Sequence, residues 1–283
     1  MLSINPKELS VRERHHYLLG GVGPRPIAFA STIDKDGGSN LAPFSFFNVF
    51  SSNPPIMIFS PARSGRTGQT KDTLDNVYEV KEVVINVVTY SMVHQMSLAS
   101  SPYEKGISEF VKAGFTPIKS DLVTPYRVKE SPVQFECKVI EIKELGKDGG
   151  AGNLVICEVV KIHIDENLIN DHGQIDQTKI DLVSRMGGNW YCRANNNSMF
   201  EIDKPITTTG IGIDNLPESV RLSDKLQGNH LGILGNMLEL PNQDIIDKEL
   251  LSLNNEDIEL NKALELLFEG QVLKSYAILT KIL

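Results

Sequence analysis

The sequence predicts a mainly β protein with a few peripheral helices and an α-helical C-terminal extension. Short β-branched or aromatic runs recur at Pro26-Ser31, Pro55-Ser60, Val83-Val88, Val133-Ile142 and Leu154-Ile164. Turn-forming residues separate them, with Asp34-Lys35-Asp36-Gly37-Gly38 after the first run and Lys147-Asp148-Gly149-Gly150 between the two longest. Helical periodicity is confined to about Thr73-Lys81, Ser91-Ser100 and residues 244–281.

Taken in order, the first run and its Asp-Gly turn read as a strand turning back on itself. Thr73-Lys81 reads as a helix leading into the strand Val83-Val88, and Ser91-Ser100 as the helix that follows it. Val133-Ile142 and Leu154-Ile164 read as a hairpin. In the tail, Leu250, Leu251, Leu253, Ile258, Leu260, Leu264, Leu267, Leu273, Ile278 and Leu279 fall at three- and four-residue steps among acids, the pattern of two or three amphipathic helices packed on something. Between the core and that tail, Pro205 to Pro241 reads as a loop-rich connector with a short helix near Pro217-Leu226. The expected organisation is a domain over 1–205, an extension over 206–241 and a helical tail over 242–283.

A chain of 283 residues suits one large domain, or one plus an appendage, and buries enough surface to need no disulfide or structural metal. Hydrophobic residues at 41% and charged residues at 23% describe an ordinary globular protein. The formal charge of −8 gives no general attraction to nucleic acid or to an anionic membrane. Cys137, Cys157 and Cys192 share no C-x-x-C spacing and read as reduced, intracellular thiols. The start, Met-Leu-Ser-Ile-Asn-Pro, lacks the basic and apolar regions of a leader, and no run approaches the roughly 18 apolar residues of a membrane span. A cytoplasmic protein is expected.

The chemistry concentrates in residues 60–73, which leave a strand and enter a helix. Arg63, Arg66 and Lys71 stand there among hydroxyl residues and two glycines, so charge-assisted donors and close backbone approach are available together. Asp72 or Thr73 is placed to cap the helix, whose free N–H groups and positive dipole end suit a phosphate. A phosphorylated ligand is one reading, and a surface loop solvated by its own charges is the other. The order Gly-x-x-x-x-Gly-Lys-[Ser/Thr] is missing, so nothing here points to nucleotide triphosphate hydrolysis.

Upstream, Gly23-Pro24-Arg25-Pro26-Ile27 runs into the first strand, and Asn40-Leu41-Ala42-Pro43-Phe44-Ser45 follows the turn. Pro54-Pro55, Lys71-Asp72-Thr73, Glu109-Phe110-Val111-Lys112-Ala113-Gly114-Phe115, Ser131-Pro132-Val133 with Glu136-Cys137-Lys138, and Ser184-Arg185-Met186-Gly187-Gly188-Asn189-Trp190-Tyr191 come after in that order. Together these motifs resemble the flavin reductase-like family of FMN-binding split-barrel proteins over about residues 17–205. Cys157-Glu158 departs from a Gly-Glu pair common in the family, a change that local repacking accommodates. The connector, with Gly210-Ile211-Gly212 and Gly232-Ile233-Leu234-Gly235, looks like an extension seen in one branch.

That resemblance implies a Greek-key split β-barrel forming a homodimer, with FMN at the rim near the subunit interface. Asn40, Ala42, Pro43, Phe44 and Ser45 would line the isoalloxazine edge, where the family places backbone amides against the N5 and O4 side of the flavin. Ser60, Arg66, Lys71, Asp72 and Thr73 would hold the ribityl phosphate, and Arg185 and Tyr191 would close the site. In such reductases NADH or NADPH reduces the flavin, and electrons pass to free flavin, an acceptor protein or oxygen. No Gly-x-Gly-x-x-Gly stretch encodes a separate nicotinamide domain, and flavin chemistry requires no catalytic triad.

Other residues read more plainly. His15 and His16 are adjacent and so point apart, with no companion ligands for a metal. His94, His163 and His172 read as packed or surface histidines, and no base cluster neighbours Cys157 or Cys192 to activate a thiol, so structural burial is favoured for both. Trp190 and Tyr191 suit a ligand contact and a core position equally. The tail suits dimer packing, partner docking or a plain addition to the core. Three functions stay open: an FMN-dependent NAD(P)H oxidoreductase, a flavoredoxin-like electron carrier, and a flavin-binding module without turnover.

Overall fold

The computed structural model describes residues 1–202, 205, 207–254 and 257–283, and the chain divides into two units, Met1–Phe200 and Glu201–Leu283. The boundary expected between residues 205 and 206 adjoins residue 206, which lies outside the described residues.

In the first unit, helix α1 (Val11–Gly21) precedes strand β1 (Ala28–Ile33), β2 (Ser39–Phe44), β3 (Phe47–Ser52) and β4 (Pro55–Phe59). Helix α2 (Asp72–Glu79) and strand β5 (Glu82–Asn86) follow, then helices α3 (Val93–Leu98) and α4 (Glu109–Ala113). After the short pair β6 (Pro117–Ile118) and β7 (Arg127–Val128) comes the long hairpin β8 (Val133–Glu144) and β9 (Asn153–Ile164), and the unit ends with β10 (Val183–Arg185) and β11 (Tyr191–Arg193). The expected helix and strand runs are present within a few residues of their predicted limits. Helix α1 lacks apolar periodicity and was not anticipated, yet Ser10 and Glu13 announce it. The Ser10 hydroxyl accepts from the Glu13 amide at 3.3 Å, and the Ser10 amide donates to the Glu13 carboxylate at 2.9 Å, a capping box.

The main sheet is antiparallel throughout, in the order β2-β1-β5-β8-β9-β4-β3. Strands β2 and β3 stand at its opposite edges, although only Ser45 and Phe46 separate them in the chain. Two residues span on the order of 10 Å, so the sheet must curl until its edges nearly meet. Because β2 and β3 form no ladder with each other, the barrel stays split between them. The Ser60 amide, just past β4, donates to the Phe46 carbonyl at 2.8 Å and fixes that corner.

Period-two alternation along β1 sends its residues to two cores. Ala28 and Ala30 point into the barrel with Met57, Phe59, Val83, Ile85, Val139 and Val155, where α2 contributes Leu74 and Val77. Phe29 points outward to a second cluster with Met92 and Met96, next to and within α3, and Phe110 of α4. Register shifts between Glu136 and Cys137 and between Val139 and Glu141 bend the β8–β9 hairpin.

The second unit holds helices α5 (Glu218–Arg221), α6 (Gly228–Gly235), α7 (Gln243–Leu251), α8 (Leu260–Phe268) and α9 (Val272–Ile282). Its core joins Leu216, Val220 and Leu234 from the connector to Leu266, Leu267, Ile278 and Leu279 from the tail. The apolar stripes read from the tail thus close largely on one another and on the connector, and the buried Ser275 hydroxyl donates to the Ala263 carbonyl at 2.6 Å between α8 and α9. Among the described residues, no helix is long and apolar enough to cross a membrane.

Candidate functional site

Strand β2 presents its two sides differently. The Leu41 amide turns away from β1 and donates to the buried Glu109 carboxylate of α4 at 2.9 Å. Antiparallel alternation then gives the Asn40, Ala42 and Phe44 amides to the β1 ladder and turns Leu41 and Pro43 to the open edge, and Ser45 follows in the bend after the strand. Of the five β2-side residues predicted to line a flavin ring, Ser45, in the bend after β2, is the one whose backbone N–H stays without an acceptor among the described residues. The Phe44 ring lies inside the barrel, 5.5 Å from the Phe59 ring and tilted to it.

Asn40 does different work. Its buried side-chain amide donates to the Thr73 hydroxyl at 2.8 Å, joining β2 to the first turn of α2. Asn76, also on α2, donates to Thr32 of β1 at 3.1 Å. The expected cap is thereby corrected: α2 begins at Asp72 with Lys71 as N-cap, and no side chain caps it, because Lys71 has no acceptor atom while Asp72 and Thr73 lie inside the helix. The Asp72 and Thr73 amides have no acceptor among the described residues. The exposed Lys71 directly precedes them at the positive end of the helix.

The loop leading there is ordered by its own backbone. Ser64 donates its amide to the Gln69 carbonyl and accepts from the Gly68 amide, both at 2.8 Å. Arg63 is pinned to the β8–β9 turn, its amide donating to the Ala151 carbonyl at 2.9 Å and its carbonyl accepting from Gly150 at 3.0 Å. Gly149 is required by the close approach, because a Cβ there would lie 2.9 Å from the Ser64 carbonyl oxygen. Arg66 stands exposed at the loop tip, whereas Ser60 is buried and accepts from the Asn153 amide at 3.0 Å. Asp72, a carboxylate, offers an anion only its backbone N–H.

A cavity of about 390 Å3 lies on the other side of β2, lined by Pro43, Ser45, Arg185 and Tyr191 together with Ile27, Met96, Ser97, Ser100 and Asn189. Arg185 and Tyr191 face each other across β10 and β11, with the guanidinium 4.6 Å from the centre of the Tyr191 ring. The Arg185 side chain also donates to the Gly188 carbonyl at 2.7 Å, which orients it on the turn. Trp190 points to solvent with 77% of its surface exposed, while Tyr191 lines the cavity. None of residues 60–73 lines this cavity. The predicted set thus divides into a basic loop, with Lys71 and Arg66, and an Arg185 end, with β2 between them.

Met96, Ser97, Ser100 and Asn189 were not anticipated. The apolar spacing of Met92, Met96 and Ala99 marks the buried face of α3 and so implies that Ser97 and Ser100 lie on the other. Arg25 carries no assigned role in the sequence reading, yet it is buried and donates to the Leu19 carbonyl at 2.8 Å, the Val22 carbonyl and the Met186 carbonyl at 2.9 Å. It joins the end of α1 to the turn after Arg185. Gly187 completes that contact, since a Cβ there would lie 3.0 Å from the Gly20 Cα.

His15, His16, His94 and His172 are exposed. His163 packs against the fully buried Glu136 carboxylate at 2.6 Å. Asp121 brings a third ligand-type atom within 4.8 Å, but Lys161 pairs with Asp121, and Arg127 lies 3.9 Å from Glu136, so both carboxylates already face cations. Burial pushes the Cys157 thiol up to about 12, which leaves it unreactive.

Comparison with known proteins agrees with this architecture. The sequence model of the flavin reductase like domain matches residues 21–179. An uncharacterized protein of Halalkalibacterium halodurans is 37% identical over 206 residues, covering 72% of this chain and 97% of that protein. Nitrilotriacetate monooxygenase component B from Bacillus cereus superposes with a TM-score of 0.67 at 33% identity, covering 71% of this chain and 98% of its own. The 2-nitrobenzoate 2-nitroreductase NbaA of Pseudomonas fluorescens superposes at 0.64 with 27% identity, covering 74% and 100%. The chain belongs to the flavin reductase-like family and has its split-barrel fold. About seven-tenths of it accounts for nearly the whole of each of these relatives.

Proposed function

We propose that the protein is an FMN-dependent oxidoreductase that accepts electrons from NADH or NADPH and passes them to free flavin or another acceptor. The observation that carries this reading is the uncapped start of α2, where the free Asp72 and Thr73 amides stand beside Lys71. Those groups suit a phosphate: backbone donors, the positive end of a helix dipole and a cation adjoin one another in the chain. Membership of the flavin reductase-like family supports flavin as the ligand.

In this reading Lys71, Arg66 and the α2 amides hold the phosphate. Ser45 meets the ring edge through its free amide, and Pro43 adds a flat apolar contact. Asn40 fixes the distance between these two ends by tying β2 to α2. Glu109 holds the β2 edge from outside through the Leu41 amide. Arg185 and Tyr191 bound the space beyond the ring edge. Bound FMN would supply the electron transfer itself, so the chain's task is to bind, orient and shield it. A cytoplasmic homodimer is part of the same reading, in keeping with exposed Val49 and Phe50 on the edge strand β3.

Adding NADH and NADPH anaerobically to the FMN-loaded protein tests this function. Bleaching of the flavin by one of them is the expected result. A loaded protein inert to both would leave the carrier or binding-module reading in its place.

A further inference from the structure

Arg25 and Arg185 are paired backbone to backbone, each amide donating to the other's carbonyl, at 2.9 and 2.8 Å. Among the described residues, no carboxylate lies within ion-pair distance of either guanidinium; the ion pairs present involve other cations. Arg25 is buried, with its Nε lacking any partner, and its other donors meet only backbone carbonyls. Burial and the neighbouring Arg185 charge push the Arg25 guanidinium down from its ordinary value. Two like charges thus stand near one another, and one of them, Arg185, lines a cavity whose lining contains no acid.

The lining has a definite division. Ile27, Pro43 and Met96 supply apolar surface, and Ser45, Ser97, Ser100, Asn189 and Tyr191 supply hydroxyl and amide groups around Arg185. The volume, about 390 Å3, is at the small end of ligand pockets. A flat carbon frame with one anionic end matches that arrangement, because the frame meets the apolar residues while the anion answers the uncompensated charge. The phosphate-type residues lie outside this cavity, which separates it from the site proposed for the FMN phosphate.

We infer that the Arg185 cavity binds a small organic carboxylate as the second substrate, with Arg185 as the residue that selects it. This rests on the proposed placement of FMN along β2, whose ring edge would border the cavity at Pro43 and Ser45. Arg25 serves as a positioning residue: it holds the turn that carries Arg185 and Asn189 and adds its charge behind them.

Ligand-observed saturation-transfer NMR on the full chain, with and without saturating FMN, tests the inference using benzoate and its neutral counterpart benzamide. Benzoate is expected to bind about tenfold or more tightly than benzamide. Arg185→Gln should abolish that difference, and Arg185→Lys should retain part of it. Equal binding of the two probes, no binding of either, or an unchanged preference in Arg185→Gln would overturn the proposal. Displacement of benzoate by equimolar inorganic phosphate would also overturn it, by assigning the cavity to a phosphoryl group. The wild-type comparison stands even if a variant fails to fold. An FMN titration of the same preparation keeps the two readings apart: saturation by FMN without preference for benzoate sinks only the carboxylate site, whereas failure to take up FMN sinks the flavin reading.

Discussion

Asn40 of β2 donates its side-chain amide to the hydroxyl of Thr73 in α2 at 2.8 Å, and both residues are buried. The contact holds the start of α2 against the strand that carries Pro43 and leads into Ser45. Replacing Asn40 with Ala leaves Thr73 without its donor and opens a small void. A loss of about 1–3 kcal/mol in stability is expected, together with weaker FMN binding, measured by chemical denaturation and flavin fluorescence quenching. Retention of both properties would show that this contact does not organise the site.

Lys71 and Arg66 are exposed, so replacing them should leave the fold intact. Lys71→Ala and Arg66→Ala are each expected to weaken FMN binding by roughly tenfold, the scale of one charge-assisted contact to a phosphate. Lys71 should show the larger effect because it sits at the N-cap beside the free amides. Full affinity in both variants would remove the phosphate site from residues 60–73.

Much of the barrel was legible because its strands obey simple patterns. The β8–β9 hairpin follows from two β-rich runs around Lys147-Asp148-Gly149-Gly150, and α2 from the apolar spacing of Leu74 and Val77. Helix α1 escaped because it is exposed and has little apolar face; its signal is the Ser10–Glu13 capping box alone. The closure of the sheet between β2 and β3 is a long-range consequence of strand order, which no local pattern contains. The same limit applies to the site: the residue types at 60–73 announce anion chemistry, but their partners do not. That the Thr73 hydroxyl serves Asn40, and that Arg25 backs Arg185, depends on contacts between segments far apart in the chain.

Glu109 supplies a pH test. Burial, together with the nearby Asp72 charge, raises its carboxyl above the ordinary value despite the Leu41 amide. A carboxyl with a raised folded-state pKa resists ionisation, so its cost is absent at low pH and grows as pH rises through that pKa. Glu109→Gln is therefore expected to raise the melting temperature near neutral pH, and the gain should shrink as pH falls toward the ordinary carboxylate range. Thermal unfolding across pH checks the sign; a gain that grows on acidification would contradict it.

Glu136 behaves oppositely. Burial alone would raise its carboxyl, but the Asp121 and Leu122 amides at 2.8 and 2.6 Å, with His163, more than offset this and leave it below the ordinary value. Its contribution to stability is then present above the unfolded carboxylate pKa and lost as pH falls through the lower folded value. Glu136→Leu orphans two amides and should cost about 3 kcal/mol or more at neutral pH. Denaturant midpoints should show that cost narrowing in acid, and a cost independent of pH would count against the assigned role.

The most direct test of the account compares FMN with riboflavin, which lacks the phosphate, by equilibrium titration of flavin fluorescence against the protein. If the α2 start and Lys71 hold the phosphate, FMN should bind about 10- to 100-fold more tightly than riboflavin. Equal affinity for the two flavins, or no binding of FMN, would contradict it.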